Sequence, residues 1–313
     1  MIDQSNMSQT RFDGVLLVDK PEACTSHDIV AQIRKIFKGQ SVGHAGTLDP
    51  MATGLLVLLL GEATKLSSFL LNEEKGYTAR VQLGVETDTF DRTGQVLKES
   101  PCCLSEDQIR AMAESLKGPM ELKVPVFSAV KVKGKKLYEE ARKGHAVEAP
   151  IKTMDFYELE TLEVGSNWVE LNLKCSKGSY IRSWAHLLGE KLKVGGHLSS
   201  LRRTWSSPFH LKQAVTVETL KNQPWEQLAA AIPLEQLLSH WPSFYVEDRD
   251  LVLVSNGQLS YGLKGRLRPF YQRVLDLKTG VKIISKPTRQ LVALLEPAPI
   301  SGEFKIGRVF HRR

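Results

Sequence analysis

The sequence predicts an α+β protein in two parts, and three features carry that expectation. Runs with a period of two mark strands, as in Trp168–Cys175, where Val169, Leu171, Leu173 and Cys175 fall on one side. Runs with helical spacing, such as Ile29, Ile33, Ile36 and Phe37, are interleaved among them. From Pro242 the pattern changes to short β-like runs separated by Gly, Pro and Asn, which sets a boundary between residues 1–241 and 242–313.

Taken in order, Gly14–Lys20 (GVLLVDK) reads as a strand stopped by Pro21. Thr25 and Ser26 offer an N-cap, and Asp28 a first-turn charge, for a helix reaching Phe37. Gly43–Leu56 (GHAGTLDPMATGLL) is written differently, with three glycines around a single carboxylate, Asp49, which Pro50 pushes out of the α region. Leu55–Leu60 (LLVLLL) then fits a fully buried strand that would fasten this loop to the core. Two readings of the stretch stand: an active-site loop presenting one carboxylate, or a surface turn in which Asp49 bonds its own backbone.

Glu62–Leu71 predicts a second helix, and Tyr77–Leu83 a half-exposed strand with Tyr77, Ala79, Val81 and Leu83 on one side. Thr87–Gly94 (TDTFDRTG) is a polar loop. Ser105 and Gln108 form a capping box for a helix that Gly118 closes. A strand is expected at Phe127–Val132, then a turn at Gly134 and a helix from Leu137 to Gly144. Trp168–Cys175 runs into Lys177–Arg182 (KGSYIR), where Ser179 is expected to cap a helix burying Trp184, Leu187, Leu188 and Leu192. Tyr180 and Arg182 thereby fall at a strand-to-helix junction, a common place for functional side chains. In the tail, strands are expected at Leu251–Val254, Arg273–Leu277, Val281–Ile284 and Leu291–Leu295.

Charge narrows the function classes. The 313 residues carry a net charge of +7, and residues 242–313 account for all of it, with 13 Lys and Arg against 6 Asp and Glu. Lys123–Gly144 is a second basic stretch, in which only Glu139 and Glu140 oppose seven Lys and Arg. Such patches are either solvated surface or contacts to a polyanion. The four cysteines show no CxxC spacing, and no long apolar segment or basic leader precedes the first strand, so a reduced, cytoplasmic protein without a membrane span is expected.

The stretch GHAGTLDPMATGLL resembles the bacterial tRNA pseudouridine-55 synthase family known as TruB. GVLLVDKP before it, and KGYTARVQLGVETDTFDRTG, VPVFSAVKVKGKKLYEEARKG, CSKGSYIRS and LRRTWSSPF after it, extend the resemblance in order over residues 14–209. It implies a mixed-sheet catalytic domain over 1–241, carrying a basic RNA-gripping insertion near 123–152, and a small β-rich PUA-like domain over 242–313. The implied reaction is isomerisation of uridine 55 in the TψC loop of tRNA, by a monomer needing no cofactor, metal or protein partner.

On that resemblance Asp49 is the catalytic residue, acting at C1′, at C6 or in deprotonating the sugar, three routes that the sequence leaves open. Tyr77 would stack on the target base and serve as a general base after the glycosidic bond breaks. Arg182 would pair with Asp49, although spacing alone equally allows a solvated or phosphate-binding arginine at the helix start. Tyr180 would pack beside it, His44 would fill the space left by a flipped-out base, Lys20 would belong to the strand-ending Lys–Pro pair, and Leu201 would line the uracil pocket. Lys131, Lys133, Lys135 and Lys136 would meet phosphates. Two other classes are a non-catalytic RNA-binding protein and a metal-dependent nuclease; Asp88 and Asp91 form an isolated acidic pair and the histidines lack ligand spacing, which disfavours the second.

Overall fold

The computed structural model describes residues 11–71, 74–128, 130–132, 135–137, 149–277 and 279–311, with backbone alone at 131, 132, 135 and 136. Ten strands form one mixed sheet. Along it the order is Ala231–Pro233, Gly14–Lys20, Thr53–Leu60, Gly196–Ser206, Lys75–Leu83, Trp168–Cys175, Ile151–Val164 and Gly118–Lys123. Val42–His44 adds to Thr53–Leu60, and Phe209–His210 to Gly196–Ser206. Pairing is antiparallel except at the centre, where Thr53–Leu60 and Gly196–Ser206 run parallel with Arg202 opposite Thr53 and Arg203 opposite Gly54. Gly54 sits at φ +97°, and a Cβ there would stand 2.4 Å from the Arg203 carbonyl oxygen, so glycine is what lets these two strands meet.

Local sequence explains the helices beside this sheet. Thr25 accepts from the Asp28 amide while the Asp28 carboxylate accepts from the Thr25 amide, which starts the helix Ser26–Ile36. Ser105 and Gln108 do the same for Glu106–Ser115. The helix Ile181–Lys191 buries Arg182, Trp184, Ala185 and Leu188, and the Trp184 indole donates to the Leu116 carbonyl at 3.1 Å. Thr53–Leu60 is buried from Gly54 onward, so each of its leucines contributes about 1.5–3 kcal/mol by leaving water. Glu62–Leu71 is helical as a 3₁₀ turn, Gly61–Leu66, followed by the short helix Ser67–Leu71.

Several expectations are corrected. Residues 126–128 form a bend, and only Lys131–Val132 is a strand, paired with Lys135–Lys136 in a small hairpin. Ser179 does not cap the following helix; Tyr180 is its N-cap without a side-chain bond, while the Ser179 hydroxyl lies 3.1 Å from that of Ser176. Gly118–Lys123 and Ile151–Val164 are strands that the sequence reading passed over. The helix expected from Leu137 to Gly144, and Lys133, lie outside the described residues beyond Leu137 itself.

The tail has a four-stranded sheet, ordered Ser243–Val246, Val281–Ser285, Leu291–Ala298 and Glu303–Val309. It also contains the helices Asp248–Ser255, Tyr261–Leu267 and Tyr271–Asp276, so two of the four expected strands, Leu251–Val254 and Arg273–Leu277, are helical. The spacing shows why: Leu251 and Val254 turn inward while Val252 is exposed, a period of three to four, and Asp248 and Asp250 favour a helix N-terminus. The tail is not free-standing. Ile283, Ala293 and Leu295 pack with its own helices, whereas Ile284, Leu291, Leu294 and Phe310 join the core of the large sheet. Backbone and side-chain bonds add to this, with Lys65 Nζ donating to the Val309 carbonyl at 2.9 Å and the His311 amide to Glu62 at 2.7 Å.

Candidate active site

Asp49 lies where the chain leaves Val42–His44 and turns back into Thr53–Leu60. Two buried cations hold this turn by its carbonyl oxygens. Lys20, at the end of the first strand, donates to Pro21 at 2.9 Å, Pro50 at 3.4 Å and Ala52 at 2.6 Å. Arg203 donates from Nη2 to Gly46 at 3.1 Å, from Nη1 to Thr47 at 3.5 Å and from Nε to Leu55 at 2.6 Å, and so grips the loop on both sides of Asp49. Ser26, opening the first helix, exchanges bonds with both the amide and the carbonyl of Leu48. Backbone carbonyls are the natural partners for cations in a loop that has few acids, and they leave the Asp49 carboxylate unengaged by its neighbours.

Arg182 engages that carboxylate from the other side of the cleft. Its Nε stands 3.0 Å from Asp49 Oδ2 and its Nη2 3.4 Å from Oδ1, a two-point contact that fixes the plane of the carboxyl group. Its remaining donors reach Asp91 Oδ2 at 3.4 Å and the carbonyls of Thr89 and Phe127 at 3.3 and 3.1 Å. Asp91 is itself fixed by Thr89 Oγ1 at 2.9 Å, the Thr93 amide at 2.9 Å and Thr93 Oγ1 at 2.6 Å. The side chains of Arg182 and Asp91 are each only 5% exposed, against 34% for Asp49, so Asp49 is the open member of the triad. Burial in the cleft nevertheless raises the Asp49 carboxyl above the ordinary range; Arg182 opposes this and Asp91 adds to it.

These groups line a cleft of about 1490 Å³, together with His44, Tyr77, Tyr180, Leu201 and Arg203. Tyr77 is pushed up to about 12 by burial, with Arg203 opposing, so it is a neutral phenol at neutral pH. Burial likewise raises Tyr180 and lowers His44, whose Nδ1 is buried without a hydrogen-bond partner. Of the residues singled out in the sequence, Asp49, Tyr77, Arg182, His44, Tyr180 and Leu201 therefore converge on one cleft. Lys20 does not line it; it is wholly buried behind the loop, where its charge is desolvated and its pKa lowered. The hairpin carrying Lys131, Lys135 and Lys136 is described by its backbone only.

Sequence reasoning set Asp91 aside as half of an isolated acidic pair with Asp88, and missed Arg203. Both left a signal: Thr89, Asp91 and Thr93 alternate, which sets two hydroxyls around one carboxylate, and Arg203 shares the inward phase of its strand with Leu201. Among the described residues no group of three or more His, Cys, Asp and Glu is placed to hold a metal ion, and no helix is long and apolar enough to cross a membrane. All four cysteines are free.

Residues 34–181 match the sequence profile of the TruB family pseudouridylate synthase N-terminal domain, and residues 182–240 that of the tRNA pseudouridylate synthase B C-terminal domain. The tRNA pseudouridine synthase B of Bdellovibrio bacteriovorus is 43% identical over 306 residues, covering 97% of this chain and 98% of that one. The chain belongs to the TruB family of pseudouridine synthases. It is accordingly an isomerase. The Geobacillus thermodenitrificans member is 39% identical over 310 residues, 96% of this chain and all of its own. Among solved structures, one described as a Cbf5-Nop10-Gar1 complex superposes with a TM-score of 0.66 at 27% identity, covering 95% of this chain and 85% of that one.

Proposed function

We propose that this TruB-family enzyme converts uridine 55 in the TψC loop of tRNA to pseudouridine, with Asp49 as its catalytic carboxylate. The observation that carries this reading is the two-point contact of Arg182 on Asp49 at the floor of a cleft wide enough for a nucleotide. The reaction breaks the C1′–N1 bond and joins C1′ to C5, which needs a carboxylate held in a fixed direction against the sugar or base. Both atoms are inaccessible in a stacked nucleotide, so the base is flipped into the cleft at a cost of a few kcal/mol. His44 fills the vacated space, and burial lowers its pKa, which favours the neutral ring there.

In this reading Tyr77 stacks on the flipped uracil, and Tyr180 and Leu201 wall the pocket. A general-base role for Tyr77 at C5 requires its own proton to leave first, which the neighbouring Arg203 charge favours. Lys20 acts indirectly, by holding the Asp49 turn, while Lys131, Lys133, Lys135 and Lys136 meet phosphates around the cleft. The chain then divides into a catalytic domain over 1–241 and a PUA-like RNA-binding domain over 242–313, working as a cytoplasmic monomer with tRNA as its partner. Incubation with an unmodified tRNA transcript, followed by carbodiimide-dependent primer extension, should give one stop, placed one nucleotide 3′ of position 55. No stop, or a stop that persists with Asp49→Asn, would refute the reading.

A further inference from the structure

Arg203 is a guanidinium 1% exposed, yet among the described residues no carboxylate lies within ion-pair distance of it. Its backbone stands at the centre of the sheet, opposite Gly54 on one side and Tyr77 on the other. Its side chain crosses to the carbonyls of Gly46, Thr47 and Leu55. One residue therefore joins the strand that carries Tyr77 to both ends of the loop that carries Asp49. If stapling were its whole task, a neutral donor would do it without the cost of desolvating a charge.

We propose that Arg203 is a positioning residue with two effects: it fixes the Asp49 loop against the Tyr77 strand, and its uncompensated charge stabilises the uracil ring as the glycosidic bond breaks. This rests on the pseudouridine synthase reading. Breaking C1′–N1 with departure of the base leaves the bonding electron pair on the ring, as an anion spread over N1, O2 and O4. That charge is consumed when C5 bonds to C1′, after which the C5 proton passes to a base and N1 takes up a proton, so that the product is the neutral isomer. A fixed cation lining the cleft favours the anion without reorganising, and costs nothing extra at the moment of reaction.

Two variants separate the effects. Arg203→Lys keeps the charge but cannot reach three carbonyls at once; Arg203→Gln keeps amide donors and loses the charge. Single-turnover loss of the substrate nucleoside, RNA affinity by filter binding and thermal midpoint are measured for both, on uridine RNA and on 5-fluorouridine RNA, whose ring is the better leaving group. Arg203→Lys should lower the rate by about tenfold or more with affinity within about threefold of wild type, a loss expected of displaced reacting groups. Arg203→Gln should fall about tenfold further, and that extra loss should shrink on 5-fluorouridine RNA.

A rate for Arg203→Lys within about threefold of wild type overturns the proposal, and this outcome is decisive even if the neutral variant does not fold. Gln matching Lys on uridine RNA, or an extra loss equal on the two RNAs, overturns the electrostatic effect. Wild-type protein is run alongside. Absence of pseudouridine in its product would refute the assigned reaction, whereas normal turnover by all three proteins refutes only the role given to Arg203.

Discussion

Replacing Arg182 with Lys keeps one positive charge and removes the planar fork that meets both oxygens of Asp49. The ammonium can reproduce one of those contacts, and it must also leave the carbonyls of Thr89 and Phe127 or the Asp91 carboxylate short of a donor. A charge-assisted hydrogen bond contributes about 1.5–3 kcal/mol, and the lower half of that range applies here because Asp49 is one-third open to solvent. A loss of about 1.5–2 kcal/mol expressed in the transition state corresponds to a roughly ten- to thirtyfold fall in kcat. RNA affinity should stay within about threefold, since Arg182 is buried and turned to the acids rather than outward. Single-turnover isomerisation with enzyme in excess, beside filter binding of the same RNA, separates the two quantities. A near-normal rate with weakened binding would show that Arg182 is a phosphate contact and would remove it from the reacting geometry.

Three further outcomes are expected. Asp91→Asn removes a charge that raises Asp49, so the acid limb of the kcat–pH profile should move to lower pH while the plateau falls; a limb that moves upward would contradict the arrangement of the triad. Reversing Lys133, Lys135 and Lys136 to Glu should weaken RNA binding and flatten its dependence on salt, and an unchanged slope of log affinity against log salt would make the patch mere solvated surface. Deleting 242–313 uncovers Trp241 and the apolar surface under Ile284, Leu291 and Leu294, so the thermal midpoint should fall; an unchanged midpoint, with loss of activity confined to full-length tRNA, would show an independent RNA-binding module.

How much of this was legible depended on what each residue's neighbours are in sequence. The strand Trp168–Cys175 and the helix after Thr25 follow from local period and capping, and both appear where expected. The Asp49 loop was legible because glycine and proline announce an unusual backbone. Its supports were not. Lys20 came into view only through the family resemblance and Arg203 not at all, because a charge beside strand residues carries no local sign of burial; only the pairing of distant strands turns both inward onto carbonyl groups. Leu251–Val254 went wrong for a related reason: a short apolar run is compatible with either period, and burial of Leu251 and Val254 but not Val252 decides it. The long strand Ile151–Val164 carries an irregular register against its partner, which blurs the alternation that would mark it.

On the role proposed for Asp49, the division of labour among the charges around it lets one carboxylate stay fixed and still be available for reaction. Three cations, Lys20, Arg182 and Arg203, stand around two carboxylates, Asp49 and Asp91. Had all three cations paired with acids, Asp49 would be fully neutralised and its nucleophilicity spent on ion pairs. Instead Lys20 and Arg203 bind backbone carbonyls, which fixes the loop without touching the carboxylate. Among the described residues Arg182 alone forms an ion pair with Asp49, and Asp91 draws part of that guanidinium away. The desolvation that raises Asp49 keeps its anion weakly solvated, while Arg182 keeps it aimed. A single charge removed from this set should therefore alter rate before it alters binding, whichever of the chemical routes open to Asp49 is followed.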